Sequence, residues 1–131
     1  MMLLDTSFII DLLRGRKTAV DKIKMLEADS LSTNISSPSI FELFVGISLT
    51  KKPSSEKKKI MDILLSWGTL TLDSECAALA GNIHGQLIKE GQPIDPEDSM
   101  IASIAIVNNE TLLTKNTKHF SRVPDLKIEG Y

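Results

Sequence analysis

Residues 1–13, Met1-Met2-Leu3-Leu4-Asp5-Thr6-Ser7-Phe8-Ile9-Ile10-Asp11-Leu12-Leu13, hold the pattern on which the fold turns. An apolar run ends in three polar residues, Asp5, Thr6 and Ser7. Apolar side chains then recur at Phe8, Ile9, Leu12 and Leu13, the spacing of one helix face. The stretch predicts a strand, a turn and a helix that Arg14-Gly15-Arg16 ends.

The same alternation continues outward. Ala19, Val20, Ile23 and Leu26 predict an amphipathic helix finishing near Ala28, and residues 31–36 a second strand. Ser36-Ser37-Pro38 opens a helix that runs through Leu49 and is expected to be well buried. Residues 51–55 read as a linker, and residues 55–67 as a helix that pairs with the one before it. Residues 69–72 predict a strand, with Asp73 or Ser74 capping a helix whose buried stripe is Cys76, Leu79, Ala80, Ile83 and Leu87, stopped by Gly91. Asp95-Pro96-Glu97-Asp98 reads as a capped helix start ahead of the apolar residues 100–107. A strand at 111–114, a helical turn at 116–120 and an edge strand at 126–129 complete the series. Strands that alternate with helices predict an α/β fold with a central, mainly parallel sheet, in one domain spanning residues 1–131.

The composition narrows the function. The chain has 131 residues, 15 Lys+Arg against 17 Asp+Glu and a net charge of -2, which excludes binding of nucleic acid through a bulk positive field. One cysteine, Cys76, forms no internal disulfide, and no apolar run is long enough to span a membrane. A cytoplasmic protein without membrane partners is expected.

In open parallel sheets, ligands gather beyond the carboxyl ends of the strands. Asp5 and Asn116 fall there, Glu42 lies one turn into the helix after the second strand, and Asp98 lies in the first turn of the helix that feeds the strand at 111–114. Converging carboxylates repel one another unless a cation stands between them, and oxygen ligands suit Mg²⁺ or Mn²⁺. The chemistry that fits is phosphodiester hydrolysis. Each residue alone also has a plain structural reading: Asp5 and Asp95 as helix caps, Asp98 as first-turn compensation of the helix dipole, Asn116 as a turn residue.

Taken together, four ordered motifs resemble the PIN-domain ribonucleases, and within them the VapC-type toxins of prokaryotic toxin-antitoxin pairs. These are Leu3-Leu4-Asp5-Thr6-Ser7, Ser39-Ile40-Phe41-Glu42-Leu43, the block from Asp98 to Ala105, and Leu112-Leu113-Thr114-Lys115-Asn116-Thr117-Lys118-His119-Phe120. The resemblance implies a three-layer α/β/α PIN-like fold. It also implies a metal-dependent endoribonuclease, with Asp5, Glu42 and Asp98 as ligands of Mg²⁺ or Mn²⁺ and water activated by the metal as the attacking group. Asn116 falls where the family has a fourth acidic or polar residue, with an implied role in orienting that water. Thr6 and Ser7 are implied donors to a phosphate or a ligand water, and Asp95 a neighbour of the metal shell for which capping is the preferred account.

Lys115 and Lys118 follow a strand end at the site and are the preferred phosphate contacts over the cluster at 51–59. His119 is assigned to packing or RNA contact, and His84 to structure. The partners implied are an RNA substrate, a cognate antitoxin protein and a second copy of the chain in a homodimer. Two other classes stay open: a phospho-receiver domain, which wants an adjacent acidic pair where Asp5 stands alone, and a noncatalytic PIN-like module for RNA binding or assembly.

Overall fold

The computed structural model describes residues 1–131. In chain order the elements are β1 (Met2–Leu4), α1 (Thr6–Leu13), α2 (Lys17–Ala28), β2 (Thr33–Ser36), α3 (Ser37–Leu49), α4 (Pro53–Ser66), β3 (Gly68–Leu70), α5 (Ser74–Lys89), α6 (Pro96–Val107), β4 (Thr111–Leu113), α7 (Thr117–Phe120) and β5 (Ile128–Glu129). The sheet order is β3-β2-β1-β4-β5 and every pairing is parallel. An all-parallel sheet must be covered on both faces, because its crossovers are helices. Side-chain alternation supplies the two cores: Met2 and Leu4 of β1 point into one with α1 to α4, and Leu3 points into the other with α5, α6 and Phe120. This is the three-layer α/β/α arrangement expected.

Three expectations are revised. The second and last strands are shorter than read, since Ser30 adopts a φ of 54° and Leu31 is left exposed before β2 begins at Thr33. The supposed linker at 51–55 already contains the first helical residue, Pro53, whose missing N–H suits a first turn. Helix α3 is not well buried. Leu43 and Ile47 pack inward, while Phe41 is 61% and Leu49 79% exposed, because a helix apolar on all sides meets the core with one stripe only. Its neighbour α4, against which it pairs, repeats this: Ile60 is buried and Leu65 is 84% exposed.

The chain leaves β1 toward β2 and β3 on one side, and β4 and β5 lie on the other. A crevice therefore opens between β1 and β4 at their carboxyl ends. The next residues out of those strands are Asp5 and Thr114.

Candidate active site

Asp5 is 2% exposed and occupies the N-cap position of α1, but its side chain does not cap. Its Oδ2 instead accepts from Ser7 Oγ at 2.8 Å and from Thr114 Oγ1 at 2.7 Å. The register that pairs Leu4 with Leu113 puts Thr114 beside Asp5. Burial pushes the Asp5 carboxyl up, against the pull of these hydroxyls.

Glu42 reaches the same crevice from α3. The Thr6 hydroxyl donates to Glu42 Oε1 at 2.7 Å and lies 2.8 Å from the buried Ser39 Oγ, so α1 and α3 are stitched at their first turns. Helix α3 begins there because Ser36 caps it, accepting from Ser39 N–H, with Pro38 in the first turn. Partial burial raises the Glu42 carboxyl, and the charges of Asp5, Glu97 and Asp95 raise it further.

Asp98, in the first turn of α6, is pushed up to about 7, by burial first and then by the charges of Asp5, Asp95, Glu42 and Glu97. No lysine or arginine is among the groups that shift Asp98 or Glu42. Three carboxyls from three separate stretches thus share one electrostatic neighbourhood that disfavours their charged forms. Their oxygen-only donor set fits a hard divalent cation. As the side chains stand, no three Asp, Glu, His or Cys groups are gathered closely enough to hold an ion, the spacing expected of uncompensated like charges.

The capping accounts of Asp5 and Asp95 are both corrected. Asp95 holds the N-cap position of α6 with no side-chain bond, and the Asp95 main-chain oxygen receives Asp98 and Ser99 N–H. Its carboxylate is exposed and acts on Asp98 and Glu42 through charge. Asn116 caps α7 by position only. Its N–H donates to Thr114 Oγ1 at 3.0 Å, and its amide side chain is exposed and bonds to none of the acids. Lys115 is tied to Asp11, whereas Lys118 and His119 are exposed on α7, so His119 does not pack. His84 Nδ1 lies 3.0 Å from Ser99 Oγ, in keeping with a structural role.

Sequence reading gave no role to Thr114, Ser39 or Glu97. Thr114 was accessible from parallel pairing, which sets the residue after β4 beside the residue after β1. Beyond Glu42, a groove of about 540 Å³ runs between α1, α3 and α4, with Leu13, Leu43, Ile47 and Ile60 in its walls.

A family profile, PIN domain, matches residues 2–126. The chain belongs to the PIN domain family. Among PIN-domain relatives, Ribonuclease VapC2 of Rickettsia felis is 30% identical over 129 residues, covering 98% of this chain and 96% of that protein. The tRNA(fMet)-specific endonuclease VapC of Shigella flexneri is 28% identical over the same shares of each chain. A crystal structure of VapBC2 from Rickettsia felis bound to a DNA fragment from its promoter contains a chain that superposes with a TM-score of 0.90. That pair is 28% identical, covering 99% of this PIN domain and 98% of that chain.

Proposed function

We propose that this PIN domain is a metal-dependent endoribonuclease, the toxin of a toxin-antitoxin pair, with Asp5, Glu42 and Asp98 as the residues that hold Mg²⁺ or Mn²⁺. The observation that carries the reading is the set of three carboxyls, all raised together at the switch between β1 and β4 with no cationic side chain set against them. The kinship with VapC ribonucleases supplies the reaction class.

When bound, the ion would offset the acidic charge and supply Lewis-acid activation of water and phosphate. The chain's own residues have separate tasks. Ser7 and Thr114 both hold Oδ2 of Asp5, and Thr6 holds Glu42, so two of the three acids are aimed before any ligand arrives. The Asn116 amide is free to orient a water at the strand end, and Lys118 and His119 are exposed on the short helix that follows it, available to an RNA backbone. The partners proposed are an antitoxin, as in the VapBC assemblies the chain resembles, and a second copy of itself. No helix is long and apolar enough to cross a membrane.

Purified protein with Mg²⁺ or Mn²⁺ is expected to cut single-stranded RNA, and Asp5→Asn and Asp98→Asn are each expected to lower the rate by about a hundredfold or more while keeping the native circular dichroism spectrum. Cleavage by either variant at the wild-type rate under limiting metal would refute the site.

A further inference from the structure

Asp11 stands apart from the acids of the site. It is 7% exposed on α1, and its carboxylate accepts from the Tyr131 hydroxyl at 2.7 Å and from Lys115 Nζ at 3.3 and 3.4 Å, with Arg16 Nε 4.0 Å away. The phenol is the leading reason that this carboxyl lies below the ordinary Asp range. Two cations therefore face one carboxylate, and positive charge is left over beside the acidic crevice.

The arrangement adjoins the supports of Asp5. The Tyr131 ring is set edge-on to Phe8, with centroids 4.8 Å apart and planes at 87°. Tyr131 reaches that position over Gly130, where a Cβ would already stand 3.4 Å from Thr117 Cγ2. Close by Phe8 in sequence, the Ser7 hydroxyl donates to Asp5. Thr114 donates to the same Asp5 oxygen and directly precedes Lys115, which returns to Asp11. The cluster of Asp5, Ser7 and Thr114 and the cluster of Asp11, Tyr131 and Lys115 thus meet where Thr114 and Lys115 adjoin in the chain.

A free lysine spreads its charge over many rotamers. The buried Asp11 is the fixed end of the pair, so the tether gives the lysine a set place. The Lys115 ammonium is half exposed and keeps donors for a second partner.

We propose that Asp11 and Tyr131 are positioning residues that aim Lys115 at a phosphate of an RNA strand entering the acidic site on the β4 side of Asp5. The proposal rests on the endoribonuclease reading above.

The test uses the intact chain, Lys115→Met, Tyr131→Phe, and the double variant. A fluorescein-labelled single-stranded oligoribonucleotide is followed by steady-state cleavage and, in EDTA, by anisotropy across a salt series. Tyr131→Phe keeps the ring on Phe8 and removes only the donor, so folding is retained. Lys115→Met is expected to raise KM and the dissociation constant about tenfold, with the loss falling on KM and not kcat. It should also flatten the slope of log affinity against log salt by about 0.7, the loss of one phosphate contact to a single strand. Tyr131→Phe should raise KM in the same direction, and the double variant should be no weaker than Lys115→Met alone. Additive losses in the double variant, or a lower melting temperature with unchanged KM, would overturn the positioning role. A wild-type chain that neither cuts nor binds RNA overturns the endoribonuclease reading, whereas one that cuts RNA while Lys115→Met keeps the wild-type KM overturns this inference alone.

Discussion

At the scale of single residues, the acids are held in a state that the free protein tolerates poorly. Asp98 has a folded carboxyl near 7 against an ordinary 3.8, so between those values the folded chain keeps a proton that the unfolded chain releases. Without metal, its contribution to stability is complete below 3.8 and is lost as pH rises to about 7. Asp98→Asn should remove this loss. In EDTA, its melting temperature should exceed that of wild type near neutral pH, and thermal melts from pH 4 to 8 would read the difference. Thr114→Val tests the support of Asp5. It deletes the buried hydrogen bond to the Asp5 carboxylate and the acceptor of Asn116 N–H, with an expected cost of about 1–3 kcal/mol in urea unfolding at pH 7. Asp5, Glu42 and Asp98 were readable in the sequence because each lies in a motif anchored to a strand end or helix start. Asp11 and Tyr131 were not readable as partners, since the bonds of Asp11 to Lys115 and Tyr131 span 104 and 120 residues and no local pattern encodes them.

At the scale of elements, three aspartates occupy N-cap positions and only one uses its side chain as a cap. Asp73 accepts from Cys76 N–H at 2.9 Å, whereas Asp5 and Asp95 make no such bond. Local sequence reads all three alike, and for Asp5 the difference comes from what lies opposite, the hydroxyls of Ser7 and Thr114. Asp73→Ala is therefore expected to cost about 1 kcal/mol in urea unfolding. Asp95→Ala should cost less than that and should let the Asp98 carboxyl titrate at lower pH, as NMR titration in EDTA would show. Element types and order followed from periodicity throughout. The ends of β2, β3 and β5 did not, because strands of two to four residues carry too little alternation to fix a boundary.

At the scale of the whole molecule, the unspent feature is the apolar surface of α3 and α4. Phe41, Leu49 and Leu65 are more than half exposed on two paired helices, more than single scattered apolar residues would explain. Sedimentation equilibrium from micromolar to hundred-micromolar protein is expected to show a dimer, and Phe41→Asp with Leu65→Asp to shift it to monomer with an unchanged fold. A monomer over that range in the wild type would leave the surface for a different partner. A divalent ion that binds only the folded chain should add about 2.7 kcal/mol at a hundredfold excess over its dissociation constant, and this gain should vanish in Asp98→Asn.

The central place of β1 in the sheet also governs when, on the proposed function, the site is complete. Asp5 and Glu42 leave the ribosome early, but β4, which completes the crevice, is made about a hundred residues after β1. A nascent or truncated chain that ends before Asp98 carries two of the three acids and none of the second wall. On the proposed function, a chain cut anywhere before Asp98 is therefore expected to cleave no RNA, which a cleavage assay on such a truncation would check.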